Sequence, residues 1–177
     1  MSSSSPQDES DYTLAQQVAI TLVPAFSGTL SILGSSCIIW MLLAENRKKL
    51  KSVKYRFLFA LCWCDVVNSL CFVFFSLPIP KDTPGVWGAM GNYASCNAQG
   101  FFLQFGIIGS FYNGALSLYF YKSVCSSMKD EQIAKKYEKW IHIGCLVWPL
   151  GTGMAAWQQD LYSYAGLGCW IAPEPLR

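Results

Sequence analysis

The chain has 177 residues, 53% of them hydrophobic, with a formal net charge of +2. That balance excludes neither a soluble domain nor a membrane protein, but the distribution does: apolar residues gather in long blocks and charges between them. No glycine-rich phosphate loop, His-Glu-x-x-His or Gly-x-Ser-x-Gly motif is present, and the basic stretches carry no base-reading motif, so neither an enzyme nor a nucleic-acid binder is indicated.

Residues 1–17 open serine-rich and acidic (Ser2–Ser5, Asp8, Glu9, Asp11) and are expected to be a disordered tail. They lack the basic n-region of a cleaved signal peptide, so the first apolar block must serve as its own signal. That block, 18–43, carries no charge and is long enough to cross a ~30 Å hydrocarbon core. The second, 57–77, is broken only by Asp65 and closed by Pro78 and Pro80. The third, 96–121, is again uncharged. The fourth, 140–157, is the shortest and contains Pro149, which a membrane helix tolerates where neighbours satisfy the freed carbonyl. Four buried helices of a soluble protein would each need a polar face, and the first and third blocks have none. The predicted fold is therefore all-α, with four transmembrane helices.

Two connections hold eleven of the thirteen basic residues: Arg47, Lys48, Lys49, Lys51, Lys54 and Arg56 in one, and Lys122, Lys129, Lys135, Lys136 and Lys139 in the other. Lys and Arg resist translocation, so both connections are expected in the cytoplasm. The N-terminus, the loop 78–95 and residues 161–177 then lie outside. The lysines also suit contact with anionic lipid.

Topology sorts the eight cysteines. Cys37, Cys62, Cys64, Cys71 and Cys145 fall in spans and Cys125 in a reducing cytoplasmic loop. Cys96 and Cys169 fall on the outer side, and a disulfide between them is predicted; two free thiols are the alternative. Asp65 is the only acid inside a span, and an intramembrane carboxylate by default marks a function. Asn68 lies one turn further on its helix, and Asn113 and Ser117 lie one turn apart on the third. His142, the sole histidine, reads as a packed or interfacial side chain, and no metal site is indicated.

These residues carry a likeness. Gly34-Ser35-Ser36, the basic loop and Leu61-Cys62-Trp63-Cys64-Asp65 resemble the opening of seven-helix G-protein-coupled receptors. Gly85-Val86-Trp87-Gly88 before Cys96 resembles their first extracellular loop, and Gly168-Cys169-Trp170-Ile171 the second. Ser95–Phe102 and Tyr112–Tyr119 are similar to receptor-like proteins of diatoms and other protists, which resemble the slime-mould cyclic-AMP receptor group. The resemblance covers the first four of seven helices and implies a receptor fragment in the plasma membrane. The whole receptor would couple an unknown extracellular ligand to a heterotrimeric G protein. It further implies a polar network or sodium site at Asp65, Asn68, Asn113 and Ser117, against a plain interhelical hydrogen-bonding role for Asp65. It implies a ligand pocket near Gln99, Gln104, Trp87 and Trp170, and a G-protein-facing surface at Arg47, Lys48, Lys49, Lys122, Lys135 and Lys136. No cofactor is implied. The third helix ends Phe120-Tyr121-Lys122, where the rhodopsin-like branch has an acid–arginine–aromatic triplet, so no acid is available there for an ionic lock. A four-span structural or adhesion protein without signalling activity is the alternative.

Overall fold

A computed structural model describes residues 12–44, 49–81, 83–166 and 168–172. Arg47 and Lys48, most of the N-terminal tail and the last five residues lie outside the described residues. The described residues form six α-helices: α1 (Leu14–Ala44), α2 (Val53–Val73), α3 (Tyr93–Gln104), α4 (Gly106–Val124), the single turn α5 (Asp130–Ile133) and α6 (Lys139–Gln158). A hairpin of β1 (Tyr162–Tyr164) and β2 (Cys169–Ile171) follows, antiparallel, with Ser163 opposite Trp170. Three helical rods are long and apolar enough to cross a membrane: α1, α2, and α3 with α4 counted as one. The chain is thus built as an integral membrane protein. Helix α6 has 20 residues but is not among those three; Gly144, Gly151, Thr152, Gly153 and His142 dilute its apolar character.

The helices start earlier than the apolar blocks do, because polar residues just outside each block close the first turn. At α1, Thr13 N–H donates to Gln16 Oε1 at 2.8 Å and Gln16 N–H back to Thr13 Oγ1 at 3.4 Å. At α3, Ser95 N–H donates to Asn92 Oδ1 at 2.9 Å and Asn92 N–H to Ser95 Oγ at 2.8 Å. Both are reciprocal capping arrangements that satisfy orphan amides. At α2 the cap comes from elsewhere in the chain. Asp130 accepts from Val53 N–H and from Ser52 Oγ, each at 3.3 Å. A carboxylate at a helix N-terminus also suits the dipole.

Helix α2 ends at Val73, four residues short of the expected boundary and before either proline. The amide of Gln99 on α3 explains how the chain can leave the helix there inside the membrane. Its Nε2 donates to the carbonyls of Phe75 at 2.9 Å and Cys71 at 3.3 Å, so the backbone released at this end is not left bare.

The third rod is broken at Phe105. A Cβ added to Gly106 would lie 2.5 Å from Asn68 Oδ1, so only glycine lets the α2 amide press against the rod at the break. Helix α1 approaches α2 as closely: a Cβ at Gly28 would meet the Ser69 carbonyl at 2.9 Å.

The main core lies at the lysine-rich end. Val53, Phe57, Ile108, Tyr112, Ala115, Tyr119, Ile133 and Cys145 are buried there, drawing α2, α4, α5 and α6 together. His142 belongs to it: its Nδ1 is 2.8 Å from the Tyr112 hydroxyl, and its ring meets Phe57 edge-on at 5.1 Å. The opposite end is closed by the hairpin, with Ile79, Cys96 and Cys169 buried beneath it.

Candidate functional site

Cys96 and Cys169 are joined as a disulfide with Cα atoms 5.3 Å apart, as the topology reading expected. It fastens β2 to the first turn of α3. A second anchor acts beside it. Tyr162 is wholly buried, its hydroxyl donates to the Gly153 carbonyl of α6 at 3.2 Å, and its ring lies where a Cβ on Gly100 would come within 2.5 Å. Burial pushes the Tyr162 phenol up from its ordinary pKa. The hairpin is therefore fixed to both α3 and α6.

Under the hairpin lies a cavity of about 610 Å³ lined by Asn68, Phe72, Phe75, Leu103, Gly106 and Trp170, among others. Trp170 is held by its indole N–H, which donates to Gln104 Oε1 at 3.1 Å, while Gln104 Nε2 donates to Thr152 Oγ1 at 3.0 Å. One glutamine thus links α3, α6 and the hairpin. Of the four residues expected around a pocket, Gln104 and Trp170 are brought together here and Gln99 and Trp87 are not. Gln99 closes the end of α2 and faces a separate apolar groove of about 730 Å³ between α2 and α3. Trp87 sits beside α1, where Thr21 Oγ1 donates to its carbonyl at 3.4 Å. The early end of α2 accounts for Gln99, because it leaves the Phe75 and Cys71 carbonyls for the amide to meet.

Deeper in the bundle, Asp65 receives two hydroxyls from α1. Ser31 Oγ donates to Oδ2 at 2.7 Å, and Ser35 Oγ donates to the same oxygen. Asp65 also lines a small polar cavity of about 190 Å³ with Asn68, Ser110, Asn113, Gly106 and Gly109. The expected group is therefore largely assembled, except for Ser117. That hydroxyl donates to the Asn113 carbonyl of its own helix at 3.0 Å and is exposed. Ser110, one turn before Asn113, lines the cavity where Ser117 was expected. Ser31 and Ser35, missed in the sequence reading, stand four residues apart on an uncharged helix and so share the face that meets the carboxylate.

Asn68, Gly106 and Ser110 line both the hairpin cavity and the Asp65 cavity, so the two are neighbours at the break in the third rod. The arrangement is an apolar, tryptophan-walled chamber above a small chamber of oxygen and amide groups.

Asp65→Asn is expected to lower the thermal midpoint of the purified chain, because a neutral amide oxygen accepts from the two serines more weakly than a carboxylate does. The loss should be about 1–2 kcal/mol. Exchanging sodium for choline should leave the wild-type midpoint unchanged, since the cavity offers one carboxylate and its other lining groups come only from α2 and α4. A sodium-dependent rise that Asp65→Asn abolishes would instead assign a cation site.

At the other end, Lys122 lies over the rings of Tyr137 and Tyr121 at 5.4 and 5.7 Å, and Lys136 over Tyr137 at 5.3 Å. Lys135 is exposed, and Lys49 sits in a 3-10 turn before α2. Arg56, read from sequence as a loop cation, lies instead in the first turn of α2 and pairs with Glu138. No family model, curated protein or solved structure matches this chain.

Proposed function

We propose that the chain forms the first four helices of a seven-helix G-protein-coupled receptor. Its N-terminus lies outside, α6 serves as the fourth crossing, and the basic end lies in the cytoplasm. The observation that carries this reading is the neighbouring pair of cavities: a chamber beneath a disulfide-fastened hairpin, beside a polar chamber around Asp65 that shares Asn68, Gly106 and Ser110 with it. The first suits an apolar or aromatic ligand, and the second gives α1, α2 and α4 a shared polar element through which a ligand can act. Asn68 and Ser110 line both chambers and Asn113 the polar one, groups on α2 and α4 that would find partners in further helices. The exposed lysines at the other end form the surface that faces a heterotrimeric G protein in this reading.

Cys125 offers the test of orientation. It is exposed and free in the α4–α5 connection, whereas Cys62 and Cys145 are buried and Cys37 lies mid-span. In intact cells a membrane-impermeant maleimide should leave Cys125 unlabelled, and permeabilisation should expose it, while an N-terminal epitope tag stains without permeabilisation. Labelling of Cys125 from outside would reverse the topology and remove the receptor reading. Sequencing the transcript past codon 177 tests the rest: three more apolar spans are expected, and an immediate stop codon would favour a four-span protein without signalling activity.

A further inference from the structure

The lysine-rich end contains an arrangement that neither the core nor the cavities use. Lys122 stands in the last turn of α4, and Lys136 and Tyr137 stand in the π turn Ala134–Glu138 that leads into α6. The two ammonium groups lie 5.4 and 5.3 Å from the centre of the same Tyr137 ring, so they are within about 11 Å of one another. Lys135 and Lys139 are exposed on either side.

The acids of this segment do not neutralise the lysines. Glu138 is taken by Arg56, and Asp130 by Ser52 and the Val53 amide. Glu131 is the remaining carboxylate, exposed on the α5 turn and set against five lysines between 122 and 139. The depth is that of a membrane edge. Phe120, Val124 and Trp140 are 53%, 74% and 70% exposed beside the cluster, side chains suited to hydrocarbon and interface.

We propose that Lys122, Tyr137 and Lys136 form a clamp for the phosphomonoester groups of a polyphosphorylated inositol lipid. Two cations facing one phenol suit a headgroup carrying two dianionic phosphates. A single phosphodiester, with one negative charge, engages only one of them. The phenol O–H adds a hydrogen-bond donor, and the ring holds the two ammonium groups near one another. The choice of leaflet rests on the orientation proposed above; the clamp itself does not.

The test uses the full chain in liposomes with the lipid in both leaflets, so an inverted topology does not abolish binding. A fluorescent donor is attached to Cys125 in a Cys37→Ala background, and energy transfer to acceptor-labelled lipid reports local enrichment. Phosphatidylinositol 4,5-bisphosphate should be enriched over phosphatidylserine, and the enrichment should fall about fivefold for each of Lys122→Gln and Lys136→Gln. Lys81→Gln, at the other end, should leave it unchanged. Equal enrichment of the two lipids overturns the proposal, as does a Lys122→Gln/Lys136→Gln protein that elutes as wild type yet retains full enrichment. Competition by soluble inositol trisphosphate at the affinity of the lipid would reassign the clamp to a free ligand and overturn it as a membrane contact. Retained lipid enrichment with lost G-protein recruitment in the lysine variants would mark a protein-docking face instead.

Discussion

Cys96→Ser, Cys169→Ser and the double substitution should each lower stability by about the same amount, on the order of 4 kcal/mol. The bridge spans 73 residues, and a cross-link over that length removes about this much from the unfolded state in the chain-entropy picture. Both sulfurs are almost completely buried, so no exposed surface is altered directly. The loss should appear as a drop in the midpoint of thermal unfolding followed by size-exclusion loss in detergent, and as reduced surface expression in cells. Equality of the three variants is the sharper criterion. Residues that act through one covalent bond lose the same thing whichever is changed, whereas two independently packed thiols would add.

The disulfide does not hold the hairpin alone, and this sets how the variants should fail. Tyr162 still fills the space left by Gly100 and still reaches the Gly153 carbonyl. Trp170 still donates to Gln104. The reduced hairpin should therefore loosen at β2 first, with β1 retained against α3 and α6. Faster hydrogen exchange confined to residues 168–172 is the expected signature, and uniform exchange over 161–172 would mean that the tyrosine contributes little.

Much of this end was legible because topology does the sorting. Once the basic connections set an orientation, Cys96 and Cys169 are the cysteines left outside, and pairing follows. The strands were not legible. Three residues each, Tyr162–Tyr164 and Cys169–Ile171 carry no alternation long enough to read, and their pairing depends on the disulfide and on a tyrosine whose slot is a glycine on another helix. Helix ends were misplaced for a related reason. Apolar blocks mark where the membrane is, but Thr13, Asn92 and Asp130 decide where the helices begin, and Asp130 does so from 77 residues away in the chain. The polar cavity was legible through Asp65, Asn68 and Asn113. The two α1 serines that donate to Asp65 were not, because serine in a membrane helix ordinarily donates to its own backbone, as Ser117 does here.

The stretch Phe120-Tyr121-Lys122 offers no acid for an ionic lock at the end of the third rod, and the ion pair found near that end joins other elements, Arg56 and Glu138. Arg56→Gln should cost about 2 kcal/mol, more than Glu138→Gln. The Arg56 guanidinium reaches the carboxylate with Nε and, at 2.6 Å, with Nη2, while Nη1 donates to the carbonyls of Leu50 at 2.9 Å and Lys51 at 2.8 Å. One side chain thus ties the first turn of α2, the turn before it and the π turn before α6. Removing it strands a carboxylate whose side chain is only 16% exposed, and uncompensated buried charge is what makes such losses large. Removing Glu138 strands a guanidinium that is 32% exposed and keeps its two carbonyls, so the loss is smaller. The discount from the full buried-pair value reflects that partial exposure. Arg56→Lys should recover less than half, because one ammonium cannot serve the bidentate carboxylate and both carbonyls at once. The double variant Arg56→Gln/Glu138→Gln should be more stable than Arg56→Gln alone, since neither charge is left unpaired. Thermal midpoints of the four proteins in one detergent measure this, and a double variant that sums the two single losses would mean that the pair contributes nothing as a pair.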